Sequence, residues 1–138
     1  MEGKIYIFID GENISANYAD RIITMSNRLG YVTERRVYHR RRDKGTRAWS
    51  EKARAGGYKD IPVYGPPAKN KVDHIMQDEI RKYLKRSDVY MICVVTSDGG
   101  FRCLADDAVT AGKKLCFIIG KKPSKKLCDM RSEYMRLC

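Results

Sequence analysis

The sequence predicts an α/β fold, with a mainly parallel five-stranded sheet covered by helices on both faces. Three observations support this fold class. Strand-like and helix-like stretches alternate along the chain in the order βαβαβαβαβα, which is typical of a parallel sheet. Two of the strand-like runs are apolar throughout, as expected of strands that are buried on both faces. With 138 residues, 43% of them hydrophobic, the chain has the length of one domain, predicted to span residues 1–138.

The first predicted strand, residues 5–9, ends at a carboxylate that is followed by a glycine, Asp10 and Gly11. In open α/β sheets the ligand crevice lies at the carboxyl ends of the strands, so Asp10 is expected on the floor of a crevice. The alternative is that Asp10 only caps the next helix, as aspartate often does. That helix is predicted over residues 14–29, where apolar side chains recur every three or four positions before Gly30.

The middle of the chain holds two further strands and two helices. A second strand is predicted within residues 31–42, and a short helix follows over residues 46–55 with Trp49 as its apolar anchor. Residues 61–64 form a third, short strand, which its proline places at the edge of the sheet. The longest helix is predicted over residues 70–86, because apolar side chains recur there at helical spacing.

The last part of the chain repeats the pattern of the first strand. An apolar run at residues 89–95 is predicted as the fourth strand, and a carboxylate and two glycines follow it from Asp98 onward. A helix over residues 101–111 and a fifth strand over residues 115–119 come next. A closing helix is predicted over residues 123–137, because proline and serine are common at helix starts.

The net charge indicates a polyanionic partner. The chain carries a formal net charge of +11, from 28 lysine and arginine residues against 17 aspartate and glutamate residues. Between residues 35 and 54, nine basic side chains stand against two acidic ones, which predicts a basic patch. The plainer alternative is a solvated basic surface without a partner.

Composition also excludes several classes of protein. No apolar run approaches the roughly 18 residues of a membrane span, and the N-terminus does not resemble a secretory signal. We therefore expect a cytoplasmic protein with no membrane partner. Five cysteines without a C-x-x-C pair predict neither a disulfide framework nor a zinc site.

Three carboxylates are expected to converge at one crevice. Asp10 and Asp98 follow two buried strands, and they would meet if those strands are neighbours at a switch point. Asp73 lies on the apolar stripe of the longest helix, within about 20° of Ile80 around the helix axis, whereas Asp78 falls on the solvated face. Three carboxylates without cysteine or histidine suit a hard cation such as Mg²⁺ or Mn²⁺. The plainer alternative is that these acids are helix caps and solvated charges.

Four stretches resemble, in the right order, the motifs of the NYN domain family, which belongs to the PIN-like superfamily of metal-dependent nucleases. They are FIDGENI at residues 8–14, KVDHIMQDEI at residues 71–80, VVTSDGGFRCLADDAVTAGKKL at residues 94–115 and SKKLCDMRSEYMRL at residues 124–137. The resemblance covers nearly the whole chain. It is carried by the order of the four motifs rather than by any one of them.

The resemblance implies a PIN-like three-layer α/β/α sandwich and RNA cleavage by a divalent ion that carboxylates hold. The acids of the metal site, which are also catalytic, correspond to Asp10, Asp73 and Asp98. Asn13 corresponds to a polar residue that orients an acid or a substrate phosphate. Thr96 and Ser97 would support the acids as hydrogen-bond donors.

The chain departs from the family pattern at two points. Gly100 stands where the family has the second acid of its loop, so one carboxylate is missing. The second acid of the helix motif corresponds to Asp78 or to Glu79, and the sequence leaves this open. Losing one ligand weakens a site without abolishing it, because Mg²⁺ routinely keeps several waters.

Two functions follow from these observations. The first is a Mg²⁺- or Mn²⁺-dependent ribonuclease that hydrolyses RNA phosphodiester bonds, and the alternative is an RNA-binding module with a degenerate site, favoured by Gly100. A phosphatase of the haloacid dehalogenase type does not fit, because Glu12 occupies the position of that fold's second aspartate. RNA is the expected partner in both cases, and a homodimer is left open. The residues expected to contact RNA are Arg40, Arg41, Arg42, Lys44, Arg47, Lys69 and Lys71.

Overall fold

A computed structural model describes residues 3–40, 44–66, 70–120 and 133–136, with only the backbone described at residues 44–46 and 133–136. The elements in these ranges are β1 (Lys4–Asp10), α1 (Ala19–Asn27), β2 (Val32–Arg40), α2 (Lys44–Ala55), β3 (Lys59–Val63), α3 (Lys71–Leu84), β4 (Val89–Val95), α4 (Leu104–Ala111), β5 (Lys114–Ile119) and β6 (Glu133–Arg136). Short 3-10 helices at Ala16–Tyr18 and Gly99–Cys103 precede α1 and α4.

The strands form one sheet in the order β3-β2-β1-β4-β5-β6, and every pair of neighbours is parallel. Strands β2 and β3 therefore lie on one side of β1, and strands β4, β5 and β6 lie on its other side. The strand order changes direction between β1 and β4, which is the switch point where open α/β sheets form a ligand crevice. The condition under which the sequence expects Asp10 and Asp98 to meet is thus fulfilled, since β1 and β4 are direct neighbours.

Helices cover both faces of the sheet because the side chains of each strand alternate between the faces. From β1, Ile5, Ile7 and Ile9 pack into a core with α1 and α2. Tyr6 and Phe8 pack into a second core with α3 and α4 on the opposite face. This arrangement confirms the predicted three-layer α/β/α fold.

Most predicted elements are present within a few residues of their predicted bounds. The proline strand β3 pairs only with β2 and lies at the sheet edge, as predicted. Trp49 anchors α2 as predicted: it is buried, and its indole Nε1 donates to the carbonyl oxygen of Ile14 at 2.8 Å. The first α-helix begins later than predicted, because Ser15 caps a 3-10 turn by accepting from the N–H of Asn17 at 3.1 Å.

The predicted closing helix is wrong at its end. Glu133–Arg136 is the strand β6, which pairs in parallel with β5 from Cys116↔Glu133 to Ile119↔Arg136. The reason is a long-range one: β5 otherwise presents an open row of backbone donors and acceptors, and a strand satisfies them where a helix cannot. The sheet therefore has six strands instead of five. The rest of the predicted helix lies outside the described residues.

Candidate active site

Asp10 is the last residue of β1 and is 1% exposed. Its Oδ2 accepts from the hydroxyl of Thr96 at 3.1 Å, and its Oδ1 accepts from the N–H of Glu12 at 3.3 Å. Burial raises the pKa of Asp10 to about 6, although these hydrogen bonds lower it. Asp10 does not cap the following helix, because Ser15 has that role. The alternative reading of Asp10 as a mere helix cap is therefore wrong.

The turn after Asp10 has a steric requirement for glycine. The N–H of Gly11 donates to the carbonyl oxygen of Tyr38 at 2.8 Å, and a Cβ on Gly11 would lie 2.6 Å from that oxygen. No side chain fits at this distance. The close approach of β1 to β2 therefore fixes where Asp10 and the turn that follows it lie.

Asn13 connects the turn after β1 to the loop after β4. Its Oδ1 accepts from the N–H of Ser97 at 2.6 Å and lies 3.5 Å from the hydroxyl of Thr96. Thr96 is fully buried, and its Oγ1 also accepts from the N–H of Asp98 at 3.1 Å. The hydroxyl oxygen of Ser97 accepts from the N–H of Gly120 at 2.9 Å. The two loops thus form one hydrogen-bonded floor around Asp10.

Asp73 and Asp98 meet above this floor. Asp73 lies half-buried in the first turn of α3 and shares a side-chain hydrogen bond with Asp98, which requires a proton on one of the two carboxyls. Burial raises the pKa of Asp73 to about 8, together with that hydrogen bond and the negative charges of Asp10, Asp98 and Glu12. The pKa of Asp98 is lowered by the bond with Asp73 and by the N–H of Gly100. The pair therefore holds one proton between them around neutral pH.

The donor chemistry of the crevice suits a divalent cation. The acidic groups it offers are all carboxylates. Burial and their mutual repulsion raise the pKa of Asp73, and a cation would offset the repulsion. The spacing is not that of a closed cage: in the described part of the chain, no three His, Cys, Asp or Glu side chains are grouped tightly enough to hold an ion. A cation at this site would therefore keep waters among its ligands, as Mg²⁺ commonly does.

The family model of the NYN domain matches residues 4–138. The chain belongs to the NYN domain family. Among curated proteins, no sequence matches it. NYN domains are PIN-like, nuclease-type domains that generally act on RNA, and PIN-like nucleases generally use divalent metals.

In this NYN domain, neither candidate for the second helix acid points into the crevice. Asp78 is exposed and forms an ion pair with Arg81 at 3.7 Å. Glu79 accepts from Arg36 Nη2 at 3.0 Å and from the hydroxyl of Tyr38 at 2.9 Å. Glu79 therefore connects α3 to the sheet and does not join the acids.

Glu12 was not among the predicted site residues of the NYN domain. Its charge nevertheless contributes to the raised pKa of Asp73, and its N–H binds Asp10. The available signal was its position two residues after Asp10, inside the first motif. Gly100, in the loop after β4, is exposed, and a Cβ there would lie 3.3 Å from Asp98 Oδ1.

The structure describes only some of the basic residues expected to contact RNA. Arg40 ends β2 and is half-buried, and Arg47 is exposed on the first turn of α2. Lys71 begins α3, where its Nζ donates to the carbonyl oxygen of Pro66 at 3.2 Å. These three residues lie at the carboxyl edge of the sheet, the same edge as Asp10. Lys44 opens α2 but its side chain is not described, and Arg41, Arg42 and Lys69 lie outside the described residues.

Proposed function

We propose that this NYN domain is a ribonuclease that depends on Mg²⁺ or Mn²⁺ and hydrolyses RNA phosphodiester bonds at Asp10, Asp73 and Asp98. One observation carries the proposal. Three carboxyls from β1, α3 and the loop after β4 influence one another's ionisation at the switch point of the sheet. Like charges that lie this close together are costly unless a cation or a function offsets them.

Each residue has a distinct task in the proposed reaction. When bound, the divalent ion would lower the pKa of a water and offset negative charge on the phosphate. Asp10 would be the fixed ligand, because Thr96 and the N–H of Glu12 hold its two oxygens. Asp73 and Asp98 would hold the ion as carboxylates, and the proton they share would then pass to solvent. Asn13 keeps the floor in place by joining the two loops.

The basic residues would hold the RNA backbone beside the acids. Arg40, Arg47 and Lys71 line the carboxyl edge, and their charge attracts phosphates that the carboxylates alone would repel.

None of the helices in the described part of the chain is long and apolar enough to cross a membrane. The cytoplasmic location stays a prediction of the sequence. The homodimer also stays a prediction, and the structure of the single chain gives it no support.

A second candidate is an RNA-binding module with an inactive site. Two observations favour it: Gly100 replaces the acid of the family motif, and the carboxyls of the described residues do not form a closed metal site. Both candidates predict RNA binding. They differ only in whether the bound RNA is cut.

The test compares cleavage of structured and single-stranded RNA in Mn²⁺ by the wild type, Asp10→Asn and Asp78→Asn. Asp78→Asn is the matched control, since it removes the same charge from the exposed face of α3. We expect Asp10→Asn to lower the cleavage rate at least about 100-fold, because changing even the partners of metal ligands costs 10- to 100-fold. Asp78→Asn should cleave like the wild type.

Two outcomes contradict the proposal. Cleavage that survives in Asp10→Asn places the reaction at another site or in a contaminant. If no variant cleaves but all bind RNA with a steep salt dependence, the second candidate is correct.

A further inference from the structure

Among the described residues, three large apolar side chains are strongly exposed, and one of them lies at the edge that carries the acids. Tyr31 is 90% exposed and precedes β2, at the amino edge of the sheet. Val109 is 79% exposed on α4. Tyr64 is 58% exposed and directly follows β3, at the carboxyl edge. Single exposed apolar residues are common, so the position of Tyr64 is the informative point.

The strand register shows where Tyr64 lies relative to the acids. Asp10 is level with Tyr38 on β2, and Tyr38 is level with Ile61 on β3. With neighbouring strands roughly 4.8 Å apart, Ile61 lies about 10 Å to one side of Asp10. Tyr64 comes three residues after Ile61, beyond the level of Asp10. It therefore stands on the rim of the crevice, on the side of β2 and β3.

Two cations, Arg40 and Lys71, lie beside the residues that flank Tyr64. Arg40 is paired in register with Val63, the residue before Tyr64. Lys71 binds the carbonyl oxygen of Pro66 and lies so close to Gly65 that a Cβ there would be 2.4 Å from its Nζ. Proteins commonly bind single-stranded nucleic acids with an aromatic side chain that stacks on a base and nearby cations that contact the phosphates. Bases inside a duplex are already stacked and do not present a free face.

We propose that Tyr64 stacks on an unpaired base and so directs this NYN domain to single-stranded RNA. The inference rests on the proposed function in taking RNA as the substrate, and it adds the class of RNA. The strand would run along the carboxyl edge, with one base on Tyr64 and a phosphate further along at the acids.

Binding without divalent ions tests this inference, because the RNA then stays intact. The probes are a single-stranded RNA that carries one 2-aminopurine and the duplex of the same sequence, with affinity measured by fluorescence anisotropy. We expect Tyr64→Ala to weaken binding of the single strand about 5- to 150-fold, in line with alanine substitutions at base-stacking residues. Tyr64→Phe should keep the wild-type affinity, because the ring is retained. The wild type should quench the 2-aminopurine, and Tyr64→Ala should not.

Tyr31→Ala is the matched control, since it removes another exposed tyrosine, at the opposite edge of the sheet. It should bind as the wild type does, and the melting temperatures of all three variants should agree with that of the wild type. The inference is overturned if Tyr64→Ala binds the single strand normally, or if it loses the same factor for the duplex.

Cleavage in Mn²⁺, measured separately, distinguishes this inference from the proposed function. A wild type that cleaves RNA while Tyr64→Ala binds normally overturns the stacking role alone. A wild type that binds through Tyr64 but never cleaves supports the stacking role and overturns the ribonuclease. A wild type that binds no RNA overturns both.

Discussion

At the scale of single residues, Asp10 shows how a functional position costs stability. The carboxyl is 1% exposed, and its hydrogen bonds from Thr96 and Glu12 do not fully compensate the lost hydration. A core residue selected for stability alone would not carry this charge. Active sites commonly keep such costs because the function requires them.

The pH dependence of stability follows from the pKa of Asp10, which is raised from 3.8 to about 6 in the folded protein. Because the folded-state pKa is the higher one, the contribution of Asp10 is fully present below about pH 4 and is lost as the pH rises through 6. The rise corresponds to about 3 kcal/mol. We therefore expect Asp10→Asn, without divalent ions, to raise the free energy of unfolding by up to about 3 kcal/mol above pH 7.

Urea unfolding between about pH 4 and pH 8 measures this difference. The gain of Asp10→Asn over the wild type should grow with pH across that range and shrink again when Mn²⁺ is added to both. Asp78→Asn, whose carboxylate is exposed, should show no such growth. A gain that does not change with pH would contradict a buried ionisation at Asp10.

At the scale of elements, α3 carries Asp73 to the crevice, and two kinds of contact hold the helix there. Val72, Met76 and Ile80 bury its apolar stripe against the sheet. Glu79 then binds Arg36 and Tyr38 of β2, and Arg36 is itself 7% exposed. Apolar contacts alone would let the helix rotate about its axis, and the polar contacts of Glu79 fix that rotation.

Glu79→Ala should therefore destabilise the protein by about 2 kcal/mol, because it leaves the buried Arg36 charge with one carboxylate partner fewer. The loss stays below that of a fully isolated charge, since Glu34 still binds Arg36 Nη1 at 2.6 Å. Asp78→Ala is the matched control one residue earlier, with a side chain that is 73% exposed, and should change stability by less than about 0.5 kcal/mol. Chemical unfolding measures both values. Equal losses in the two variants would mean that the network does not hold α3.

The sequence predicted the elements whose signals are local. The stripe of α3 placed Asp73 on the protein side because helical spacing follows from consecutive residues. The same spacing could not decide between Asp78 and Glu79, because Glu79 acts through Arg36, 43 residues away in the chain. The strand β6 was missed for a similar reason, since its four residues are extended only by pairing with β5. Glu12 acts through the charge it places near Asp73, and its only local signal is its position two residues after Asp10.

At the scale of the whole molecule, a basic protein concentrates acids at one point of its sheet. The chain has a net charge of +11, yet Asp10, Asp73 and Asp98 meet in one crevice. A polyanion approaching that crevice is attracted by the protein as a whole and repelled by the acids themselves. Cations at the carboxyl edge are therefore needed to hold phosphates beside the acids. Cations at the amino edge add to the overall attraction without contacting the same strand.

Removing two charges from either edge separates these contributions. Arg47→Gln/Lys71→Gln removes cations of the carboxyl edge, whereas Arg28→Gln/Lys85→Gln removes two exposed cations from the ends of α1 and α3 at the amino edge. Both double variants have the same net charge. We expect the first to reduce the slope of log affinity against log salt concentration by about 1.4, because each contact with single-stranded phosphate contributes about 0.7. The second should keep the wild-type slope, because its two cations lie at the amino edge and contact no phosphate of the same strand. Anisotropy titrations of single-stranded RNA across a salt series measure both slopes, and equal slopes in the two variants would mean that RNA does not follow the carboxyl edge.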